Sequence, residues 1–217
     1  MAENLSRDEV FVILLDEYQS KMPPERSLSR CREEVLRQGR RLPTDVASKM
    51  IAVMRECNWP SQRERAKVQS DDYLVLEIPP PGAPIDSQGA KKAKIKRERH
   101  QAVWDEVHST MEFLDPTFEY TGVALSKGFR GSPHIDAQDI SYQWAMSFGE
   151  FTGGELCVES APGEVSVVTT KSRAAKLDGR FPHWVAPWRG ERYSAIVFKT
   201  RGTPTTKARA VYDLDPY

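Results

Sequence analysis

The sequence predicts an α+β fold, with a helical extension at the N-terminus followed by a double-sheet jelly roll or barrel. Two patterns predict this fold. Apolar residues in the first seventy positions recur at helical spacing, whereas from Phe118 onward short β-rich segments alternate with turn residues. A chain of 217 residues suits one domain, or one domain with a helical extension, and is long enough to bury a sizeable core.

Three helical segments are predicted in residues 1–70, the N-terminal extension. The capping-box pattern Ser6–Glu9 begins the first helix, and Pro23 ends it. A second, very polar segment runs from about Glu25 to Arg40. The third begins at Pro43, carries an apolar stripe on one face and stops near Pro60. Such stripes are typical of core contacts.

A domain over residues 71–202 is expected to follow, with a polar tail at 203–217 as a surface extension. It opens with a strand at Asp72–Ile78, which Pro79 ends because proline cannot continue a hydrogen-bonded ladder. The basic run Lys91–Arg99 then leads into a helix at about 90–114. Such a run is usually the solvated face of a helix, and a nucleic-acid contact is the alternative.

Eight short strands are predicted after this helix, separated by turns rich in glycine and proline. Their number and spacing suit a jelly roll or barrel, because these architectures protect strand edges. The strands are Phe118–Leu125, His134–Asp136, Ile140–Phe148, Glu155–Glu159, Val165–Thr170, Ala174–Leu177, His183–Ala186 and Arg192–Thr200.

The composition excludes a strong global electric field. Basic and acidic residues balance at 31 each, so a nucleic-acid partner would have to meet a local patch. The three cysteines are widely spaced and form no CxxC motif, which indicates a reducing compartment. Because the chain shows neither a signal-peptide pattern nor an apolar run of membrane-spanning length, we expect an intracellular protein, cytoplasmic or nuclear, with no membrane partner.

His134 and Asp136 are the first candidate site residues. They stand at i and i+2, so on a strand both side chains project from the same face. A second histidine would complete a set of two imidazoles and one carboxylate, which leaves open positions on a six-coordinate Fe(II). His183 is the candidate, because His100 and His108 lie in the predicted helix. A lone HxD triplet is more often a surface pair, so the assignment depends on a further signal.

Arg192 and Ser194 supply that signal. Arg192 lies nine residues after His183, and Ser194 shares its face of the last predicted strand. A buried guanidinium without a partner costs several kcal/mol, so its position predicts a bound anion, such as the far carboxylate of a dicarboxylate co-substrate. The alternative is an outward-facing Arg192 paired with an acid.

The whole set, HxD, a distal histidine and RxS some ten residues later, resembles the signature of the 2-oxoglutarate/Fe(II)-dependent dioxygenase superfamily. The resemblance covers roughly residues 119–201. It implies that iron is bound by His134, Asp136 and His183. It also implies that the C5 carboxylate of 2-oxoglutarate is bound by Arg192 and Ser194.

This resemblance has further implications for fold and activity. The implied core is a double-stranded β-helix, and Tyr142 is a further candidate donor to 2-oxoglutarate. The implied cofactors are Fe(II), 2-oxoglutarate and O2, and the implied reaction hydroxylates a C–H bond with release of succinate and CO2. A zinc hydrolase also uses two histidines and a carboxylate, but it would leave the Arg-Ser pair unexplained.

Two weaker resemblances concern the substrate. Phe148–Leu156 is similar to a strand-turn-strand found in prolyl-hydroxylase-like proteins and in the ten-eleven-translocation/J-binding-protein group, which oxidises pyrimidine methyl groups in DNA. Asp178–Trp184 and Gly190–Ser194 resemble small algal and protist oxygenases, some related to that group. The first hypothesis is therefore oxidation of a nucleobase, a methylpyrimidine in DNA or RNA. The others are hydroxylation of a peptidyl or free amino acid or a small metabolite, and a catalytically silent jelly-roll binding module.

A nucleic-acid substrate would need phosphate contacts and a surface on which a base stacks. The basic candidates are Lys91–Arg99, Arg130 and the turn Lys171–Lys176. The aromatic candidates are Trp144, Trp184 and Trp188, which otherwise belong to the core of an ordinary pocket. A basic groove leading to the metal would favour nucleic acid. A closed aromatic pocket capped by the N-terminal helices would favour a small molecule.

Overall fold

The computed structural model describes residues 33–60, 70–80, 82, 84 and 87–212 of the 217-residue chain. The first predicted helix, which begins at Ser6, and the end of the tail lie outside the described residues. Within them the chain forms three helices, α1 (Thr44–Glu56), α2 (Gln88–Arg99) and α3 (Gln101–Leu114). None of these helices is long and apolar enough to cross a membrane.

The described part of the chain also forms thirteen β-strands, most of them short. They are β1 (Glu33–Gln38), β2 (Arg40–Arg41), β3 (Asp72–Glu77), β4 (Gly122–Lys127), β5 (Gln143–Phe148), β6 (Phe151–Gly153), β7 (Leu156–Ala161), β8 (Glu164–Thr169), β9 (Arg173–Leu177), β10 (His183–Val185), β11 (Trp188–Gly190), β12 (Tyr193–Phe198) and β13 (Val211–Tyr212).

These strands form two main sheets. In the large sheet the order is β13-β9-β5-β12-β4-β3, and β2 also pairs with β9. The small sheet has the order β1-β8-β7-β10, and β6 pairs separately with β11. Residues from both main sheets line one cavity, so the two sheets face each other across it. The predicted double-stranded β-helix core is thus confirmed.

The large sheet has two different faces, which we call the helix face and the cavity face, and strand β12 shows the division. Tyr193, Ala195 and Val197 belong to the helix-face core, where apolar residues of α1 and α3 such as Met50 pack against them. The alternate residues of β12, which are Ser194, Ile196 and Phe198, line the cavity. Because side chains alternate along a strand, β3, β4, β5 and β12 contribute residues both to the helix-face core and to the cavity.

The prediction of a helix from Glu25 to Arg40 is wrong where the structure describes this segment. Glu33–Gln38 forms β1, which pairs in parallel with β8, and Arg40–Arg41 forms β2 beside β9. The segment is too polar to hold a helix against the core, and the sheets offer its backbone a ladder of hydrogen bonds instead. Gly39 joins the two strands where space is tightest, since a Cβ there would lie 2.9 Å from the carbonyl oxygen of Ala174.

Other element boundaries also differ from expectation. The third predicted helix is confirmed as α1, but the helix expected at about 90–114 is two helices, which meet at His100 with φ −115° and ψ 32°. The predicted strand His134–Asp136 reduces to a single bridge between His134 and His183, since a turn follows at once. In the tail, Val211–Tyr212 forms β13, where the sequence predicted irregular chain.

Candidate metal centre and its cavity

His134, Asp136 and His183 meet in the cavity. Their ligand atoms all lie within 4.8 Å of one another. Nε2 of His134 is 3.8 Å from Oδ1 of Asp136, and Nε2 of His183 is 3.5 Å from Oδ2 of the same carboxylate. The backbone holds the two histidines together, because each N–H donates to the other's carbonyl oxygen, at 3.0 and 2.9 Å. The structure therefore brings the three predicted ligands into one cluster.

Both imidazole rings are held in place by a hydrogen bond at Nδ1, the ring nitrogen on the side away from Asp136. Nδ1 of His134 lies 2.7 Å from the carbonyl oxygen of Ser132, and Nδ1 of His183 lies 2.9 Å from that of Phe181. A carbonyl oxygen only accepts, so each Nδ1 carries a proton and donates it. In the neutral form of each ring the lone pair is then on Nε2, which is the atom nearest the carboxylate. A histidine that binds a metal needs this tautomer.

The electrostatics keep Asp136 ionised between the two rings. Burial opposes its ionisation, but the hydrogen bond from His183 and the charge that the imidazoles carry when protonated outweigh burial and hold the pKa of Asp136 below its ordinary value. Nε2 of Gln143 also donates to Oδ2 of Asp136, at 3.2 Å. Burial and the neighbouring His183 lower the pKa of His134, so its ring is neutral at pH 7. One carboxylate and two imidazoles form a donor set for a divalent transition metal.

Arg192 lines the same cavity and is 3% exposed. Its Nη1 donates to Oγ of Ser194 at 3.3 Å, and its Nη2 donates to the carbonyl oxygen of Gly154 at 3.2 Å. Its Nε is buried and has no hydrogen-bond partner among the residues that the structure describes. Burial lowers the pKa of Arg192 to about 10, which still leaves the group charged at pH 7. A buried, charged and incompletely paired guanidinium is suited to an anionic ligand.

Small residues and hydroxyl groups surround Arg192. A Cβ on Gly154 would lie 2.9 Å from Nε of Arg192, so a larger residue there would close that side of the guanidinium. Oγ of Ser194 lies 2.7 Å from Oγ of Ser126 on the adjacent strand β4, and Thr170 lines the same cavity. These hydroxyls are placed to donate to an anion that the guanidinium holds.

The cavity measures about 540 Å³, within the range of about 300–1,000 Å³ that is usual for pockets that bind small organic molecules. It contains both the His-Asp-His cluster and the Arg192–Ser194 pair. Its apolar lining residues come from both sheets and from the connecting loops. They are Ala124, Phe129, Ile135, Ala137, Ala145, Met146, Leu156, Trp184, Val185, Ile196 and Phe198.

Tyr142 is not among the described residues that line the cavity. Its ring stacks on Phe118 beside the helix-face core, with centroids 4.7 Å apart. Its hydroxyl donates to Oδ2 of Asp115 at 3.1 Å. The structure thus separates Tyr142 from the other five predicted site residues.

Tyr73 is the tyrosine that does line the cavity, and it was not among the residues predicted from the sequence. It lies on β3 in register with Ser126 of β4. The signal that could have found it is the alternation along β3, in which Leu74 and Leu76 are fully buried on the helix face and Tyr73 must therefore point the other way.

Asp139 is a second cavity residue without a predicted role. It is 9% exposed, and its Oδ2 has no hydrogen-bond partner within the described ranges. Burial and the negative charge of Asp136 raise the pKa of Asp139 to about 7. A turn brings the residue back toward the metal cluster, since its N–H donates to the carbonyl oxygen of Asp136 at 3.1 Å. This carboxyl oxygen is buried in the wall of the cavity, and its capacity to accept a hydrogen bond is unused within the described residues.

The basic residues that the sequence suggested for nucleic acid lie elsewhere. No residue of Lys91–Arg99 is among the described residues that line the cavity. Lys176 is engaged by Asp115, with Nζ to Oδ2 at 3.2 Å, and Nζ of Lys171 donates to the carbonyl oxygen of Phe151 at 3.0 Å. In the part of the chain that the structure describes, these residues do not form a basic groove leading to the metal cluster, which was the feature that would favour nucleic acid.

The candidate stacking residues are buried. Trp144 is 2% exposed, Trp184 is 1% exposed and Trp188 is 7% exposed, and of these Trp184 lines the cavity. Arg130, which is exposed, lies over the ring of Trp188 at 4.5 Å. These tryptophans therefore build the walls and the core rather than an open platform.

The residues present fit Fe(II) and 2-oxoglutarate. Two imidazole nitrogens and one carboxylate oxygen, with no fourth protein ligand in the described cluster, leave positions for a chelating co-substrate and O2. The buried charge of Arg192, with one N–H unpaired in the described chain and the hydroxyl of Ser194 beside it, suits the far carboxylate of a dicarboxylate.

No protein-family model and no curated protein sequence matches this chain. Among solved structures, NgTET1 in complex with 5mC DNA is similar with 13% identity and a TM-score of 0.41, covering 93% of each chain. A Pseudomonas putida prolyl-4-hydroxylase is similar with 18% identity and a TM-score of 0.44, covering 76% of this chain and 91% of its own. A 2OG-Fe(II) oxygenase family protein from Burkholderia pseudomallei has 16% identity and a TM-score of 0.43, covering 77% and 87%.

These likenesses are distant, and the assignment of a class depends on the fold and site described above. What the structure itself shows is a double-stranded β-helix whose cavity holds a cluster of two histidines and one carboxylate.

Proposed function

We propose that the chain is a non-haem Fe(II)- and 2-oxoglutarate-dependent dioxygenase. The observation that carries this proposal is the presence, in one cavity, of the His-Asp-His cluster and the buried, incompletely paired Arg192. A zinc hydrolase would use the cluster but would give Arg192 no task. When bound, iron and 2-oxoglutarate supply the oxidising chemistry: with O2, 2-oxoglutarate becomes succinate and CO2, and one oxygen atom enters a C–H bond of the substrate.

The site residues have two roles, which are to bind the metal ion and to bind and orient 2-oxoglutarate. His134, Asp136 and His183 would hold the ion from one side, with both rings already fixed by their Nδ1–H groups. Arg192 and Ser194 would bind the far carboxylate and so set the position of the reactive end of 2-oxoglutarate. The apolar walls keep water away from the remaining space.

Titration of the metal-free protein under anaerobic conditions tests this proposal. Calorimetry is expected to show one Fe(II) bound per chain and 2-oxoglutarate bound only when the metal is present. In air, the loaded protein should release succinate. Metal binding without any affinity for 2-oxoglutarate would overturn the proposal and restore the hydrolase alternative.

We further propose that the substrate is a nucleobase, a methylpyrimidine in DNA or RNA, and the support comes from Asp139. A pyrimidine is neutral and planar, and its edge offers an N–H donor to the buried oxygen of this carboxyl group. A prolyl residue within a peptide has no N–H of its own, so only a neighbouring residue of the peptide could pair with Asp139.

A free amino acid fits the cavity less well for a second reason. Among the described residues that line the cavity, Arg192 is the only lysine or arginine. Once Arg192 binds 2-oxoglutarate, an amino acid or another acid would bring a carboxylate into the cavity with no second cation to pair with it.

The substrate proposal is tested with oligonucleotides that contain thymine or 5-methylcytosine, together with prolyl peptides and free amino acids, by product mass. Asp139→Asn keeps the shape of the side chain but replaces an acceptor by a donor. We expect this change to lower kcat/KM for the methylpyrimidine substrate about tenfold or more, since it leaves the buried side chain of residue 139 without a hydrogen-bond partner.

The affinity of the Asp139→Asn variant for 2-oxoglutarate should not change. Asp45→Asn, at an exposed position of α1, is the matched control. Oxidation of the peptide and not of the oligonucleotide would contradict the proposal.

A further inference from the structure

The segment Arg201–Ala210, which we call the tail strip, has an unusual charge pattern. It contains three basic residues, Arg201, Lys207 and Arg209, and no acidic residue. It also contains three threonines, at positions 203, 205 and 206. The chain as a whole has equal numbers of acidic and basic residues, so these ten residues are locally basic in sequence.

The tail strip is fixed against the two loops that carry the metal ligands. The N–H of Thr205 donates to the carbonyl oxygen of Ile140 at 2.8 Å, just after Asp139 of the cavity wall. Nη1 of Arg180 donates to the carbonyl oxygen of Thr205 at 3.0 Å. Nζ of Lys207 donates to the carbonyl oxygen of Arg180 at 2.8 Å, three residues before the ligand His183. The strip therefore runs along the outside of the metal-binding loops.

Lys207 and Arg209 are the cations that the tail strip presents at its surface. Both side chains are exposed, and the ammonium of Lys207 lies 4.4 Å from the ring centroid of Phe181. The neighbouring Arg180 is paired with the fully buried Asp178, Nη2 to Oδ2 at 2.6 Å, so this pair contributes no net charge. Two exposed cations beside hydroxyl groups are suited to phosphate oxygens.

Helix α2 is the other basic surface, but it is in a different part of the fold. Its exposed residues include Lys92 and Arg99, and the helix packs against β3 and α3. Within the described chain, no backbone hydrogen bond joins α2 to the loops that hold the metal ligands. A nucleic-acid strand bound at α2 would therefore not be held next to the cavity by the loops that carry the metal ligands.

We propose that the tail strip binds the phosphodiester backbone of a nucleic-acid strand whose base enters the cavity. This inference rests on the proposed nucleobase substrate. Base flipping or capture of a single strand places the phosphates of the target nucleotide outside the pocket while the base lies inside. The strip meets that requirement, because it lies on the outer side of the same loops whose inner side lines the cavity.

The test measures binding of a labelled single-stranded oligodeoxynucleotide to the full-length protein by fluorescence anisotropy at several salt concentrations. The variant Lys207→Gln/Arg209→Gln removes two charges but keeps side chains of similar length, so the stem over Phe181 remains. We expect severalfold weaker binding, and a slope of log K against log salt that falls by about 1.4, or about 0.7 for each phosphate that is no longer neutralised. Lys92→Gln/Arg99→Gln on α2 is the control, matched in charge and expected to have the smaller effect.

The single variant Arg209→Gln is a second test, because loss of Lys207 could disturb the loop before His183 through its hydrogen bond to Arg180. It should lower the salt slope by about 0.7. Thermal denaturation of each variant checks that the fold is kept.

The outcomes separate this inference from the proposed function. If the oligonucleotide is oxidised but both strip variants bind it as the unmodified chain does, or if the α2 control has the larger effect, the strip proposal is overturned and the substrate proposal stands. If the unmodified chain releases succinate but binds no oligonucleotide, both the strip and the nucleobase substrate are overturned, while the oxygenase assignment stands.

Discussion

The helix face and the cavity face of the large sheet use the same strands for opposite purposes. On β4 and β12, Leu125 and Val197 are fully buried against the helices. On the other face of the same two strands, Ser126 and Ser194 meet in the cavity with their hydroxyls 2.7 Å apart. Adjacent residues of the same strand therefore have different roles, since one packs in the core under the helices and the next lines the cavity. Changes on the helix face should therefore affect unfolding, and changes on the cavity face should affect ligands.

The largest expected effect is on the cavity side, at Asp136. Asp136→Ala removes the only carboxylate of the described metal cluster, so we expect loss of Fe(II) binding and of all succinate release. The melting temperature of the metal-free protein should also fall, because the buried His183 and Gln143 lose a hydrogen-bond acceptor, but no apolar core is opened and the chain should stay folded. Calorimetry with Fe(II) measures the binding, and Asp105→Ala on α3 is the control. Retained iron affinity would refute the assignment of the metal centre.

The next effect is on the helix side, at Leu125. Leu125→Ala should lower the free energy of unfolding by about 2–5 kcal/mol, since it opens a cavity in the core under the helices. Urea denaturation measures this loss. The KM for 2-oxoglutarate of the folded variant should stay unchanged. A KM that rises in step with the loss of stability would mean that the two faces are coupled.

A smaller effect is expected at Arg192. Arg192→Gln should weaken 2-oxoglutarate binding about tenfold to a hundredfold, because a charge-assisted hydrogen bond contributes about 1.5–3 kcal/mol. Iron affinity should be retained, which distinguishes this variant from Asp136→Ala. Arg192→Lys keeps the charge but loses the planar fork, so it should recover only part of the affinity. Unchanged turnover at low 2-oxoglutarate would indicate a different co-substrate anchor.

The smallest effect is expected at Ser194. Ser194→Ala removes one hydroxyl from the cavity face and should lower 2-oxoglutarate affinity by about 0.5–1.5 kcal/mol. Ser160→Ala on β7, which is not among the described cavity residues, is the matched control and should have no effect on affinity. Equal losses in the two variants would show that the Ser194 hydroxyl is not a ligand contact.

The sequence predicted the parts of this molecule that depend on residue type and local spacing. The cluster of His134, Asp136 and His183 could be found because a metal restricts its ligands to a few side chains. Helix α1 could be found because its apolar stripe and its flanking prolines are both local signals. The strand pattern after Phe118 indicated the double-sheet core for the same reason.

The parts that depend on distant pairing could not be predicted. Strand β1 has a polar sequence that favours no particular structure, and only its parallel pairing with β8 makes it a strand. Tyr142 stands next to a strand that lines the cavity, and only the packing of its ring on Phe118 beside the helix-face core shows that it does not reach the cavity. Asp139 stands three residues after Asp136, and only the turn between them and the burial that follows make it a site residue.

The placement of the three ligands has a consequence for the lifetime of the fold. His183 belongs to β10 of the small sheet, while Asp136 is tied by Gln143 to β5 of the large sheet. An ion bound by both would act as a crosslink between the sheets, and unfolding would have to release it. Saturation at about a thousand times the dissociation constant adds about 4 kcal/mol to folded-state stability. Removal of iron by a chelator would then shorten the life of the folded chain as well as stop turnover.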